Sequence, residues 1–217
     1  MTSVRLVAAL AALAALFAVA PAAAKAPPPP KPISLAAPKT YAAALTAIEK
    51  ATGARATDLE LKGNPLPAEE GRAFRVDGKV ATRLIEGSHG AFLKAGFYLF
   101  RLERSFGLGG GLDVVALVKT TDRDALLRKV GTADPHGVVT NDQIAEWLAA
   151  LEKEEPFALN EIGVDYVAGR FVKAPKDPAA VAARCAAFAP ELTKGSGSAI
   201  DLLTEEIKAN RTLYLIW

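Results

Sequence analysis

The sequence has few of the residues that build metal, redox or disulfide chemistry. Its 217 residues include one cysteine, Cys185, and two histidines, His89 and His136. One cysteine excludes an intramolecular disulfide and any zinc site made from several cysteines. Histidine metal sites usually combine two or three histidines at a defined spacing, whereas these two lie far apart in the chain. The composition therefore predicts neither a metal nor a cofactor.

The chain also lacks an excess of charge of either sign. Its 26 Lys and Arg residues are nearly balanced by 24 Asp and Glu, for a formal net charge of +2. This balance gives no support for a nucleic-acid partner or an anionic membrane surface. With 51% hydrophobic and 23% charged residues, the composition is that of a globular protein. The length suits one well-filled core and is short for two.

The N-terminus has the pattern of a secretory signal peptide, over residues 1–26. Arg5 supplies a positive charge, and the apolar run Leu6 to Ala20 is shorter than the ~20 residues that a membrane-spanning helix needs. Small residues suited to cleavage follow Pro21. We expect a periplasmic or secreted protein with no stable membrane insertion after cleavage; the alternative is an uncleaved anchor.

A proline-rich linker, residues 27–39, follows the predicted signal peptide. Its PPPPKP run, Pro27 to Pro32, favours the extended polyproline II conformation. We interpret it as a spacer, the alternative being a proline-rich ligand for a partner. The remaining residues, 40–217, are expected to form a single α/β domain.

The clearest helix signal in that domain lies between Thr140 and Pro156. Thr140 and Gln143 have the spacing of a capping box, and proline ends the helix. Phe157 then opens an extended run that ends near Asp165. Four apolar residues, at the spacing of one buried helix face, predict which side packs on the core: Ile144, Trp147, Leu148 and Leu151. If Trp147 is a core residue, Trp147→Ala should cost about 3–5 kcal/mol.

Three nearly continuous apolar runs predict central strands that are covered on both faces: Phe97 to Leu102, Val114 to Val118 and Leu213 to Trp217. The connection Glu103 to Asp113 is too short for a crossover helix, so the first two runs should be antiparallel neighbours. Together with the helices, they predict a three-layer α/β sandwich with a mixed sheet covered on both faces. The covering helices are expected at Lys79–Ala95, Asp122–Val130, Asn141–Glu154, Pro178–Phe188 and Ser198–Ala209.

Several segments resemble one bacterial family: GRAFRV, FLKAGFYLFRLERSFG, DVVALVKTTD, NDQIAEWLAALEKEEPF and the ending EEIKANRTLYLIW. From Arg72 to Trp217 the chain resembles the domain of unknown function 4253. Members usually carry a Phe-Cys-Pro-Asp-type motif before the last helix, where this chain has Phe-Ala-Pro-Glu, residues 188–191, with Cys185 one turn earlier. Members also tend to end in two tryptophans and an acid, whereas this chain ends Ile216-Trp217. The family has no assigned activity, so the resemblance implies a domain boundary rather than a reaction.

Two small-residue motifs invite functional interpretations that their context does not favour. The glycine run at residues 107–111 could cradle a phosphate only if it opened a helix, but the next predicted element is a strand. We interpret this run as a flexible hairpin loop. The chain has no Gly-x-Ser-x-Gly elbow, and the GSGS run at Gly195 to Ser198 is explained as the N-terminal cap of a helix.

The candidate site consists of polar residues in apolar surroundings. A charge inside a sheet is costly unless it is paired. We therefore expect Arg101 or Arg104 to meet Glu161 or Asp165 near one edge of the sheet. Such a pair is either structural or part of a pocket for an anionic or carboxylate-bearing ligand. The full candidate set is Arg101, Arg104, Glu161, Asp165, Tyr166 and His136.

Three functions remain open from the sequence. The first is an exported, non-enzymatic binding or interaction module whose partner is a protein or a small anionic ligand; the lack of a catalytic constellation favours it. The second is a small hydrolase-like enzyme that uses Asp165 or Glu161 with Arg101 and His136. The third is an inhibitor or immunity-like partner of another protein, which would need a contiguous exposed apolar or acidic patch.

Overall fold

The computed structural model describes residues 30–105, 111–194 and 199–217, and residues 31–217 form one compact unit. The predicted signal peptide (1–26), the GSGS motif and the glycine run except for Gly111 lie outside the described residues. Among the helices within these ranges, none is both long enough and apolar enough to cross a membrane.

A seven-stranded mixed sheet forms the centre of the fold. Its strand order is β1-β4-β6-β5-β7-β8-β9, and a separate hairpin pairs β2 with β3. Strands β5 and β7 pair in parallel, and every other neighbouring pair is antiparallel. The strands are β1 (Thr57–Asp58), β2 (Glu60–Leu61), β3 (Asn64–Pro65), β4 (Gly71–Val76), β5 (Tyr98–Glu103), β6 (Asp113–Val118), β7 (Phe157–Ile162), β8 (Tyr166–Phe171) and β9 (Thr212–Ile216).

Six α-helices lie in the described ranges, and their ends follow ordinary capping chemistry. The predicted capping box is confirmed: the Thr140 hydroxyl accepts from the Gln143 N–H, and the Gln143 side chain accepts from the Thr140 N–H. The helices are α1 (Tyr41–Thr52), α2 (Gly78–Lys94), α3 (Arg123–Val130), α4 (Asn141–Glu154), α5 (Pro178–Phe188) and α6 (Ala199–Asn210), with a 3-10 turn at Pro190–Thr193.

The sheet separates two hydrophobic cores. The core on the first face packs β5 to β9 against α3, α4, α5 and α6. The core on the second face packs β4, β6 and β5 against α1 and α2. Alternate residues of β5 enter each core, since Tyr98 and Phe100 face the first and Leu99 faces the second. The predicted α/β class, the mixed sheet and the helices on both faces are therefore confirmed.

The last strand differs from its prediction. Strand β9 lies at the edge of the sheet, and only its first-face residues, such as Leu213 and Leu215, are buried. Tyr214 and Ile216 face the second side and are half-buried. The expectation that Leu213 to Trp217 is a central strand was wrong. Its continuous apolar pattern arises because the half-buried second face of this edge strand also carries apolar residues, Tyr214 and Ile216. The other two runs are antiparallel neighbours, as predicted.

The extended run expected from Phe157 to Asp165 is a strand followed by a tight turn. Strand β7 ends at Ile162, and β8 returns beside it. Gly169 interrupts the apolar sequence of β8, so the sequence does not show this strand as a continuous apolar run. A Cβ there would lie 2.4 Å from the Ala158 carbonyl oxygen, so the close approach of the two strands requires glycine.

Part of the predicted linker packs on the second face. The segment Lys31–Leu35, here called the N-terminal strap, runs along α2. Its Ile33 N–H donates to the Arg83 carbonyl at 2.9 Å, and the side chains of Ile33 and Leu35 pack against the second core. The strap is thus part of the folded unit that begins at residue 31.

Candidate functional site at the carboxyl end of the central strands

The candidate site lies where two neighbouring parallel strands end. The pairing pattern makes β4, β5, β7 and β9 run in the same direction, so their carboxyl ends share one end of the sheet, here called the carboxyl end. From β5 the chain turns to β6 on one side, and from β7 it turns to β8 on the other. In open α/β sheets, ligand sites favour such a point, where adjacent parallel strands lead away in opposite directions.

Two β-bulges bring charged side chains together at this point between β5 and β7. One shifts the β5–β6 register between Arg101 and Glu103, and the other shifts the β7–β8 register between Leu159 and Glu161. Strict alternation would put Glu161 on the first face with Leu159. The extra residue, Asn160, instead turns Glu161 to the second face, beside its strand partner Arg101. The bulges therefore bring the charges together.

Arg101 is the centre of a buried ion network. Its side chain is 3% exposed, and Nη1 donates to Glu161 Oε1 at 3.0 Å. Nη2 donates to Thr82 Oγ1 at 2.6 Å, which ties the guanidinium to the first turns of α2. Nε lies 3.1 Å from Asp113 Oδ2, a charge contact in which the N–H is not aimed at the oxygen. Groups from β6, β7 and α2 thus fix this guanidinium in place.

Arg104 supplies the second guanidinium, which is partly open to solvent. Its Nε donates to Glu161 Oε2 at 3.2 Å, and its Nη2 donates to Glu161 Oε1. Burial acts to lower the pKa of Arg104, but the charge and hydrogen bonds of Glu161 outweigh it and raise the pKa. Two guanidiniums and the carboxylates of Glu161 and Asp113 make the network neutral overall. Its paired geometry orders the site more than it attracts an ion.

Two tyrosines extend the site along the second face. The Tyr166 hydroxyl donates to the Leu102 carbonyl at 3.4 Å, and its ring lies 6.3 Å from that of Tyr214. Burial raises the pKa of both hydroxyls, that of Tyr214 to about 12. Both side chains therefore remain neutral near pH 7. The Tyr166 ring lies over Gly163, where a Cβ would come within 2.1 Å of it.

The remaining two predicted residues do not join the network. Asp165 is half-buried in the β7–β8 turn, where burial raises the pKa of its carboxyl group. Of the two carboxylates expected to meet Arg101 or Arg104, Glu161 does so, because the bulge turns it towards both guanidiniums. The expected location of the pair, near one edge of the sheet, was wrong, since β5 is the middle strand of the sheet.

His136 lies in an exposed turn between α3 and α4. Its backbone N–H donates to Asp134 Oδ1 at 2.8 Å. No hydrogen bond or ion pair within the described ranges joins its ring to Glu161 or Asp165. The geometry thus does not assemble the acid, arginine and histidine that a hydrolase interpretation requires.

Sequence reasoning missed two members of the network. Asp113 carried a usable signal, because a carboxylate directly before the apolar run of β6 must be paired if it is buried. Thr82 carried none, because its contact with Arg101 depends on how α2 crosses the sheet.

In the described part of the chain, no group of three or more His, Cys, Asp or Glu side chains could hold a metal. Cys185 is buried, which raises the pKa of its thiol to about 12 and keeps it protonated.

The comparisons with known proteins give one family. Residues 114–217 match the family model described as a domain of unknown function, DUF4253, and over this region the chain resembles that family. The match covers β6, except its first residue, through β9 and includes Glu161, Tyr166 and Tyr214, whereas Arg101 and Arg104 precede it. Searches of the curated proteins and of the solved structures found no match.

Proposed function

We propose that this chain is an exported, non-enzymatic binding module whose site is the carboxyl end of the sheet and whose partner is a protein. The observation that carries the proposal is the point between the parallel strands β5 and β7, where the chain leads away in opposite directions beside a buried ion network. Ligand sites in open α/β sheets favour this position. Export is proposed from the apolar N-terminal run alone.

The charge of the site favours a protein over a small anion. Arg101 and Arg104 are balanced by Glu161 and Asp113, so the network has little net charge with which to attract an anion. The site also presents arginine and tyrosine side chains, which are amphipathic. These residue types are enriched at the energetic centres of protein interfaces.

Exposed apolar side chains lie in the connections around the same end. Leu112, just before β6, is 48% exposed; Val138, between α3 and α4, is 74% exposed; and Val164, in the β7–β8 turn, is 61% exposed. The Ala133 N–H donates to the Val164 carbonyl at 2.9 Å and joins two of these connections. Apolar groups grouped around a polar centre fit a protein partner better than a solvated ion.

The proposal can be tested with two valines at opposite ends of the same strand. Val164 precedes β8 at the carboxyl end, and Val172 follows β8 at the other end with 59% exposure. The wild-type chain, Val164→Asp and Val172→Asp would each be immobilised and exposed to periplasmic extract. Each captured protein would then be purified and its Kd measured by calorimetry.

We expect a partner that binds the wild type and Val172→Asp alike and binds Val164→Asp at least about tenfold more weakly, equivalent to about 1.4 kcal/mol. Equal loss in both variants would indicate nonspecific apolar adhesion. Full retention by Val164→Asp would place the interface elsewhere. Either of these results rejects the proposed site.

A further inference from the structure

Four hydrogen bonds join α2 to the peptide backbone of the N-terminal strap. Arg83 accepts from the Ile33 N–H through its carbonyl at 2.9 Å and donates from Nε to the Lys31 carbonyl at 2.7 Å. Ser88 Oγ accepts from the Leu35 N–H at 3.0 Å and donates to the Ile33 carbonyl at 2.7 Å. These four hydrogen bonds hold the strap through its backbone, and none of them involves a side chain of the strap.

Gly87 makes room for this segment. A Cβ at Gly87 would lie 2.4 Å from the Ile33 carbonyl oxygen and 2.6 Å from its carbon, closer than any side chain permits. Three residues along the same helix, a Cβ at Gly90 would meet nothing within 4 Å. Glycine inside a helix destabilises it by about 1 kcal/mol relative to alanine. The close approach of the docked strap explains why residue 87 is nevertheless a glycine.

The groove also has apolar contacts and a buried polar group that faces the strap. Ile33 and Leu35 occupy alternate positions, so both side chains of the extended segment point the same way and pack on the second core. Ser88 is fully buried, and its hydroxyl makes both of its strap contacts there. Recognition of an extended backbone, with pockets for alternate side chains, is a general mode of peptide binding.

We propose that the Gly87 side of α2 is a peptide-recognition groove for an extended segment with apolar side chains at alternate positions, filled in this chain by its own Lys31–Leu35. The groove is distinct from the carboxyl-end site, and its occupant is held in cis. A peptide of the same pattern binds in trans when the strap is displaced, because the same backbone groups and apolar contacts become available to it.

The test uses the full chain and a synthetic peptide, PKPISLA, which reproduces residues 30–36. Ile33→Asp with Leu35→Asp disables the resident strap, and fluorescence anisotropy reports binding of the labelled peptide. We expect this variant to bind the peptide at least about tenfold more tightly than the wild type, whose groove is filled. Adding Gly87→Ala should abolish the binding, whereas adding Gly90→Ala should preserve it.

A second measurement covers the case in which the strap variant does not fold. In chains with an intact strap, hydrogen exchange of the Ile33 and Leu35 amides should be at least about tenfold faster in Gly87→Ala than in Gly90→Ala. Equal exchange in the two glycine variants overturns the proposal. Equal peptide binding by the two, or no binding by a folded strap variant, also overturns it. Neither readout involves a partner at the carboxyl end.

Discussion

The two faces of the sheet are built differently. On the first face, four helices cover β5 to β9 with an apolar core that closes over Leu213, Leu215 and Trp217. On the second face, two helices and the strap cover β4, β6 and β5, and the apolar core gives way to Arg101 and Glu161. The first face is an apolar core, whereas the second combines an apolar core with the charged groups of the proposed site.

The largest effect should come from breaking the ion network of the second face. Arg101→Met removes the cation beside the buried Asp113 and leaves Glu161 with Arg104 alone, so it should lower the free energy of unfolding by about 3–5 kcal/mol. Urea unfolding measures the change. Arg72→Met is the matched control, because the Asp58 side chain that Arg72 pairs with is 78% exposed and the loss should stay below about 1 kcal/mol. Equal effects would mean that the network contributes no more than a surface pair.

Two neighbours on α4 test the first face. Leu148 is fully buried, and Leu148→Ala should cost about 2–5 kcal/mol. Trp147 is only half-buried and stacks on Phe188 with ring centroids 4.8 Å apart, so we expect Trp147→Ala to cost about 1–3 kcal/mol, less than the value for a core tryptophan. Denaturant midpoints at constant slope give both numbers. A larger loss for Trp147→Ala would show that the stacked pair, rather than the buried face, dominates the packing of α4.

A buried histidine should make the second face sensitive to pH. His89 Nδ1 lies 2.7 Å from the Leu99 carbonyl, which can only accept, so Nδ1 carries the proton. The buried Nε2 has no hydrogen-bond partner among the residues that the structure describes. Burial lowers the pKa of His89, with the Leu99 hydrogen bond acting in the opposite direction. The unfolded chain binds a proton near pH 6.5 and the folded chain only at lower pH.

The free energy of unfolding should therefore decrease as pH falls from about 6.5 through the lowered pKa of the folded state, by less than about 1.4 kcal/mol per pH unit. Urea titrations between pH 7.5 and 5 measure this slope. His89→Gln should flatten it, and His136→Asn, in an exposed turn, should not. An unchanged slope in His89→Gln would assign the pH dependence to other groups.

Local chemistry was readable from the sequence, whereas the pairing of distant segments was not. The capping box at Thr140 and the two antiparallel apolar runs follow from spacing and connection length, and both are present. The partners of Arg101 depend on a bulge at Asn160 and on where α2 crosses the sheet, and neither leaves a periodic pattern. Charge burial predicted that Arg101 needs a carboxylate, but only the fold selects Glu161 and adds Asp113.

The smallest effect should come from Gly90, and its sign separates two explanations for the glycines of α2. Gly90 is exposed, has an ordinary helical conformation and leaves open space for a methyl group, so Gly90→Ala should raise the free energy of unfolding by about 0.4–1 kcal/mol. If both glycines merely weakened the helix, Gly87→Ala would stabilise it equally. We expect Gly87→Ala to destabilise instead, because its methyl group displaces the strap from the second face. Thermal unfolding of the two variants measures the difference, and a shared increase in Tm would mean that the strap adds nothing to this face.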